Sequence, residues 1–139
     1  MRKLAEFLAQ CGYVHLEKPL NVKNVVLAQK ELTRQGLPML PPSFLDFLRQ
    51  YNGLSAQDSK ILGIPPLANA NLDIIEFNQD FNQSDDMVIL GCDDFGFLVY
   101  NAAAKTYQLI DKDSSMVLEE FADNELEYAV MSVLHVSYE

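Results

Sequence analysis

Cysteine, glycine and basic side chains are all scarce in this 139-residue chain, and each scarcity removes a class of function. Only Cys11 and Cys92 are present, so a disulfide framework is not indicated; the expected location is the cytoplasm, where both thiols stay reduced. The six glycines are too scattered for a phosphate-binding loop. Ten Lys and Arg stand against twenty Asp and Glu, a formal charge of −10. That balance opposes binding to nucleic acid or to an anionic membrane surface and favours a basic partner. No apolar run approaches the ~20 residues of a membrane span. The Met1-Arg2-Lys3 start leads into an apolar stretch cut by Glu6 and Gln10, so no secretion signal is expected.

Several fragments imitate reactive motifs, and each lacks its context. Asp94-Phe95-Gly96 matches the magnesium-binding tripeptide of protein kinases, but neither a glycine-rich loop nor a catalytic loop accompanies it, and it reads as a hairpin turn. Asp111-Lys112-Asp113-Ser114-Ser115 opens like a calcium loop, yet Met116 and Ala122 stand where such a loop needs Gly and Glu. Cys11 and His15 lie four apart without the paired spacing of a zinc site, and Cys11 is expected to be buried on the first helix. No nucleophile elbow exists, and His15 and His135 have no recognisable partners. The reading assigns no catalytic residue, no metal ligand and no cofactor, and expects a protein that is not an enzyme.

What the chain does contain is a well-marked order of elements. Leu4, Phe7, Leu8 and Cys11 form a helical stripe ending near Gly12. A second stripe, Val22, Val25, Val26, Gln29 and Leu32, starts from Asn21 or Asn24 and stops at Gly36. The third helix is the sharpest: Pro42 suits the first turn, Phe44, Phe47, Leu48 and Tyr51 share a face, and Asn52-Gly53 can end it in the left-handed conformation. Ile61-Leu62-Gly63 reads as a short strand and residues 72–81 as a helix. Four strands then recur at hairpin spacing, Met87–Leu90, Phe97–Tyr100, Tyr107–Ile110 and Met116–Leu118, joined by links too short for parallel crossovers. Asp123 or Asn124 caps a final helix buried through Leu126, Ala129, Val130, Val133 and Leu134. Together these imply one α+β domain over residues 1–139, a twisted antiparallel meander flanked by helices. Charge divides unevenly along it: residues 1–60 carry eight basic against five acidic side chains, a net of +3, and residues 61–139 carry two against fifteen, a net of −13.

The run Leu40-Pro41-Pro42-Ser43-Phe44 through an aromatic and leucine helix into Asn52-Gly53 resembles the signature of the SUKH superfamily, which includes cell-wall-synthesis regulators and bacterial toxin-immunity proteins. The likeness covers about residues 24–136: Ile61-Leu62-Gly63, then Val88-Ile89-Leu90-Gly91 entering the acidic hairpin Asp93-Asp94-Phe95-Gly96, then the aromatic strand Phe97-Leu98-Val99-Tyr100 and the later strands, with Phe121 leading into the last helix. Residues 64–85 have no sharp counterpart, and the tryptophans common in such proteins are absent. The resemblance implies a protein-binding module, an immunity protein that binds and blocks a toxin, often a nuclease. A basic nuclease would meet complementary charge here. The acidic turn residues Asp85, Asp86, Asp93, Asp94, Asp111 and Asp113 are the candidate contacts. Two other readings stand beside it: a regulatory scaffold without a toxin partner, and a ligand pocket on the concave sheet face using Tyr100 and Tyr107.

Overall fold

A computed structural model describes residues 2–136. Five helices and seven strands are found among them: helices α1 (Arg2–Ala9), α2 (Val25–Arg34), α3 (Pro42–Gln50), α4 (Ile74–Phe81) and α5 (Leu126–Leu134), and strands β1 (His15–Leu16), β2 (Leu54–Ser55), β3 (Lys60–Ile61), β4 (Met87–Cys92), β5 (Gly96–Asn101), β6 (Thr106–Asp111) and β7 (Val117–Ala122). The strands form a sheet in chain order from β1 to β7, every neighbouring pair antiparallel, so the fold is α+β as the hairpin spacing requires. Registers slip once between β4 and β5 and once between β6 and β7.

Cross-strand partners share a face, which sorts the side chains into two layers. Tyr107 pairs with Tyr100 and Phe121 and faces the helices. There the Ser43 hydroxyl at the start of α3 hydrogen-bonds the Tyr107 hydroxyl and donates to Asp123 Oδ1 at 3.0 Å, tying the Pro-Pro-Ser start to β6 and to the approach to α5. Leu4 and Leu8 of α1, Phe44, Phe47 and Leu48 of α3, and Leu126, Ala129, Val130, Val133 and Leu134 of α5 share one apolar cluster with this face. The other face carries Ile89, Phe97, Val99 and Ile110 and borders α4, where Phe77 meets Phe97 edge-on at 6.0 Å.

Three buried carboxamides complete the backbone where secondary structure stops. Asn52 Nδ2 donates to Ile64 O at 2.7 Å while its Oδ1 accepts from Ile64 N at 2.8 Å. Asn78 engages Ile89 O and N at 2.9 and 2.8 Å, and Gln29 engages Leu40 O and N at 3.2 and 2.8 Å. Each amide offers one donor and one acceptor, as a neighbouring strand residue would, so these main-chain groups are buried without an orphan.

Some sequence expectations need correction. Val22 and Val26 are exposed, because the buried face of α2 runs through Ala28, Gln29 and Leu32. The first helix ends at Ala9, leaving Cys11 half-buried beyond it. Tyr51 is extended and half-buried, since α3 stops at Gln50; Gly53, at φ +93°, makes the turn that follows. The last strand begins at Val117 and runs on to Ala122. Strands β1 and β2 leave no mark in the sequence, two residues being too few to show alternation. Tyr107 is fully buried against α3 and the half-buried Tyr100 packs on it, so Tyr107 does not line an open pocket. An open cleft of about 380 Å³ lies instead on the opposite face, over Ile89, Phe97, Val99 and Ile110.

Candidate protein-binding surface

The sheet register divides the six predicted aspartates between two ends. Met87 pairs with Asn101 at one end, and Gly96 with Asp111 at the other. Asp93, Asp94, Asp111 and Asp113 therefore share the end formed by two hairpin tips, joined where Lys112 N donates to Phe95 O at 3.0 Å. Asp85 and Asp86 lie at the far end, where Ala102 N donates to Asp86 O.

The turn aspartates also differ in what their oxygens do. Asp93 is 5% exposed; its Oδ1 accepts from Phe95 N at 2.9 Å and Gly96 N at 2.7 Å, and its Oδ2 meets His135 Nε2 at 3.0 Å. It builds the hairpin and presents little of its carboxylate to solvent. Asp111 Oδ2 accepts from Ser114 N, Ser114 Oγ and Asp113 N, and those bonds hold its carboxyl below the usual range. Asp85, Asp86, Asp94 and Asp113 are exposed, and beside Asp94 the Phe95 ring projects with 73% of its surface open.

A second acidic group lies along β7 and into α5. Glu119 accepts from Ser132 Oγ at 2.6 Å on the α5 side, whereas Glu120 accepts from Gln108 Nε2 at 2.7 Å and Thr106 Oγ1 at 2.9 Å on the other. Hydrogen bonds from Gln108 and Thr106 hold the Glu120 carboxyl low. Glu125 Oε1 accepts from Ala122 N at 2.8 Å. These partners are hydroxyls, an amide and a backbone N–H, none of which cancels charge. Lys60 and Lys112 lie over the Phe77 and Phe97 rings at 4.7 and 5.5 Å. Sequence reasoning left Glu119 and Glu120 out because it ended the last strand at Leu118. Continuing the run Val117-Leu118-Glu119-Glu120-Phe121 as one strand would have placed both at mid-strand.

The groups with reactive chemistry fall into separate networks. Ser43 is bonded to Tyr107 and Asp123, while His135 is bonded to Asp93. Burial pushes the Tyr107 hydroxyl above its ordinary range, which keeps it protonated as a structural hydrogen-bonding group. Burial likewise raises the Cys92 thiol, against the opposing pull of Lys60 and Lys112. Among the described residues no cluster of three or more His, Cys, Asp or Glu could hold a metal ion, and no helix is long and apolar enough to cross a membrane. Comparison of the chain with protein-family models and with curated proteins finds no match.

Proposed function

We propose that this chain is a non-enzymatic protein-binding module that neutralises a basic toxin domain, of the nuclease type, by binding it. One observation carries the reading: residues 85–127 hold eleven carboxylates against two lysines, on the link into β4, two hairpin tips, an edge strand, and the turn before the last helix and its first turn, and the carboxylates of β7 are held by uncharged donors. A nuclease needs positive charge to hold phosphates, so the field that repels nucleic acid attracts the enzyme that cuts it. The SUKH-like motif order supports the same role.

The test is co-expression with the product of the adjacent gene, followed by purification and a nuclease assay. The expected result is a stable complex, loss of nuclease activity at equimolar ratio, and an association rate that falls as salt shortens the Debye length below ~8 Å. A neighbouring product that stays fully active in excess of this protein would overturn the immunity reading and favour a regulatory scaffold.

A further inference from the structure

We propose that β7 is a docking edge that takes an extended, basic segment of the partner as an eighth strand. The inference rests on the protein-binding reading and names its surface. β7 ends the strand order, and among the described residues no strand lies beyond it. The opposite edge, β1, is two residues long, so among the described residues β7 is the long edge of the sheet. Edges are commonly guarded by charged side chains, by proline, by bulges or by a covering segment. The β7 sequence Val-Leu-Glu-Glu-Phe-Ala has neither lysine nor proline; its guards are Glu119, Glu120 and the register slip against β6, all of which leave a strand of opposite charge admissible, and Met116, Val117 and Leu118 are exposed by 66, 51 and 53%.

The charge on the edge selects the occupant. Glu119 lies on the α5 side and Glu120 on the other, so an added strand meets one carboxylate on each face. A second copy pairing through its own β7 in a register centred on Glu119 or Glu120 would set glutamate against glutamate, which destabilises cross-strand pairs, and in any register it brings four like charges onto one edge. Lysine or arginine on the incoming strand reverses the sign at both positions, while apolar residues beside them cover Val117 and Leu118. The other apolar patch, around Val26 and Met39 of the N-terminal half, has Lys30 beside it and does not suit a basic segment.

The experiment is an NMR titration of the isotope-labelled full chain with a blocked octapeptide alternating Val and Lys, and with its Val/Glu counterpart. Shifts and slowed amide exchange confined to residues 117–122 are expected with the Val/Lys peptide, and no saturable change with the other. The E119Q/E120Q variant keeps the local hydrogen-bonding shape and should bind the Val/Lys peptide about 2- to 30-fold more weakly, the loss of two cross-strand charge pairs. Equal binding of both peptides, shifts centred on α2 or the sheet cleft, or concentration-dependent β7 shifts in the protein alone would overturn the proposal. None of these results bears on toxin neutralisation, which the co-expression assay reads separately.

Discussion

Replacing Asn52 by Ala tests whether the Asn-Gly pair is more than a helix stop. Ile64 is fully buried, and the Asn52 amide serves both its N–H and its C=O, at 2.8 and 2.7 Å. Truncation leaves both groups without that partner, at about 1–3 kcal/mol each, for a total near 2–6 kcal/mol. A typical domain has only about 5–15 kcal/mol of stability, so the variant should be marginal at the upper end of that range. With about 2–4 °C lost per kcal/mol at somewhat greater lengths, the melting temperature should fall by roughly 5–20 °C. Urea unfolding followed by circular dichroism gives the free energy directly, with an unchanged slope if the native surface is preserved. Asn52→Asp separates the polar account from packing: it keeps the volume and the acceptor but sets a carboxylate against Ile64 O, so it should not restore stability. Asn52→Leu should fail as well. A loss below ~1 kcal/mol for the Ala variant, or near-native stability for the Leu variant, would refute the reasoning.

Ser43→Ala should cost about 1–3 kcal/mol in the same assay by taking a partner from the buried Tyr107 hydroxyl and from Asp123. Leu48→Ala should cost about 2–5 kcal/mol, because Leu48 is fully buried on α3; a loss under ~0.5 kcal/mol would place that face outside the core. Asp93→Ala should lose about 2–4 kcal/mol as the Phe95 and Gly96 N–H groups forfeit their acceptor, whereas Asp94→Ala should stay within ~0.5 kcal/mol. Asp111 titrates below its ordinary range in the fold, so its contribution is present above the unfolded pKa and is lost as pH falls through the folded one. Asp111→Asn should therefore flatten the acid limb of stability against pH, and an unchanged limb would show that its turn bonds do not favour the ionised form.

Much of the architecture was legible in the residues. Phe44, Phe47 and Leu48 recur at the helical period and are fully buried, and the four six-residue strands recur at hairpin spacing with turn residues between them. Local signals suffice there because propensity, capping and periodicity agree. They failed where the deciding interaction is distant in sequence. Of the stripe Val22, Val25, Val26, Gln29 and Leu32, the structure buries Gln29 and Leu32, with the Gln29 amide serving Leu40 eleven residues on, but leaves Val22 and Val26 exposed, since no distant element covers them. Among the candidate contacts, charge identified the acidic hairpins but could not distinguish exposed Asp94 from its buried neighbour Asp93, whose carboxylate is claimed by the turn and by His135, 42 positions away.

The sequence by itself determined the order of the five helices and the four long strands, the antiparallel meander of those strands and the excess of negative charge in the second half, because each follows from spacing and composition. Tertiary structure alone decided which carboxylates stay exposed, which amides become part of the core, and that Glu119 and Glu120 stand on the last strand of the sheet. The physical reason is that burial and hydrogen-bond pairing depend on what the rest of the chain brings to a residue, and neither is encoded in its immediate neighbours.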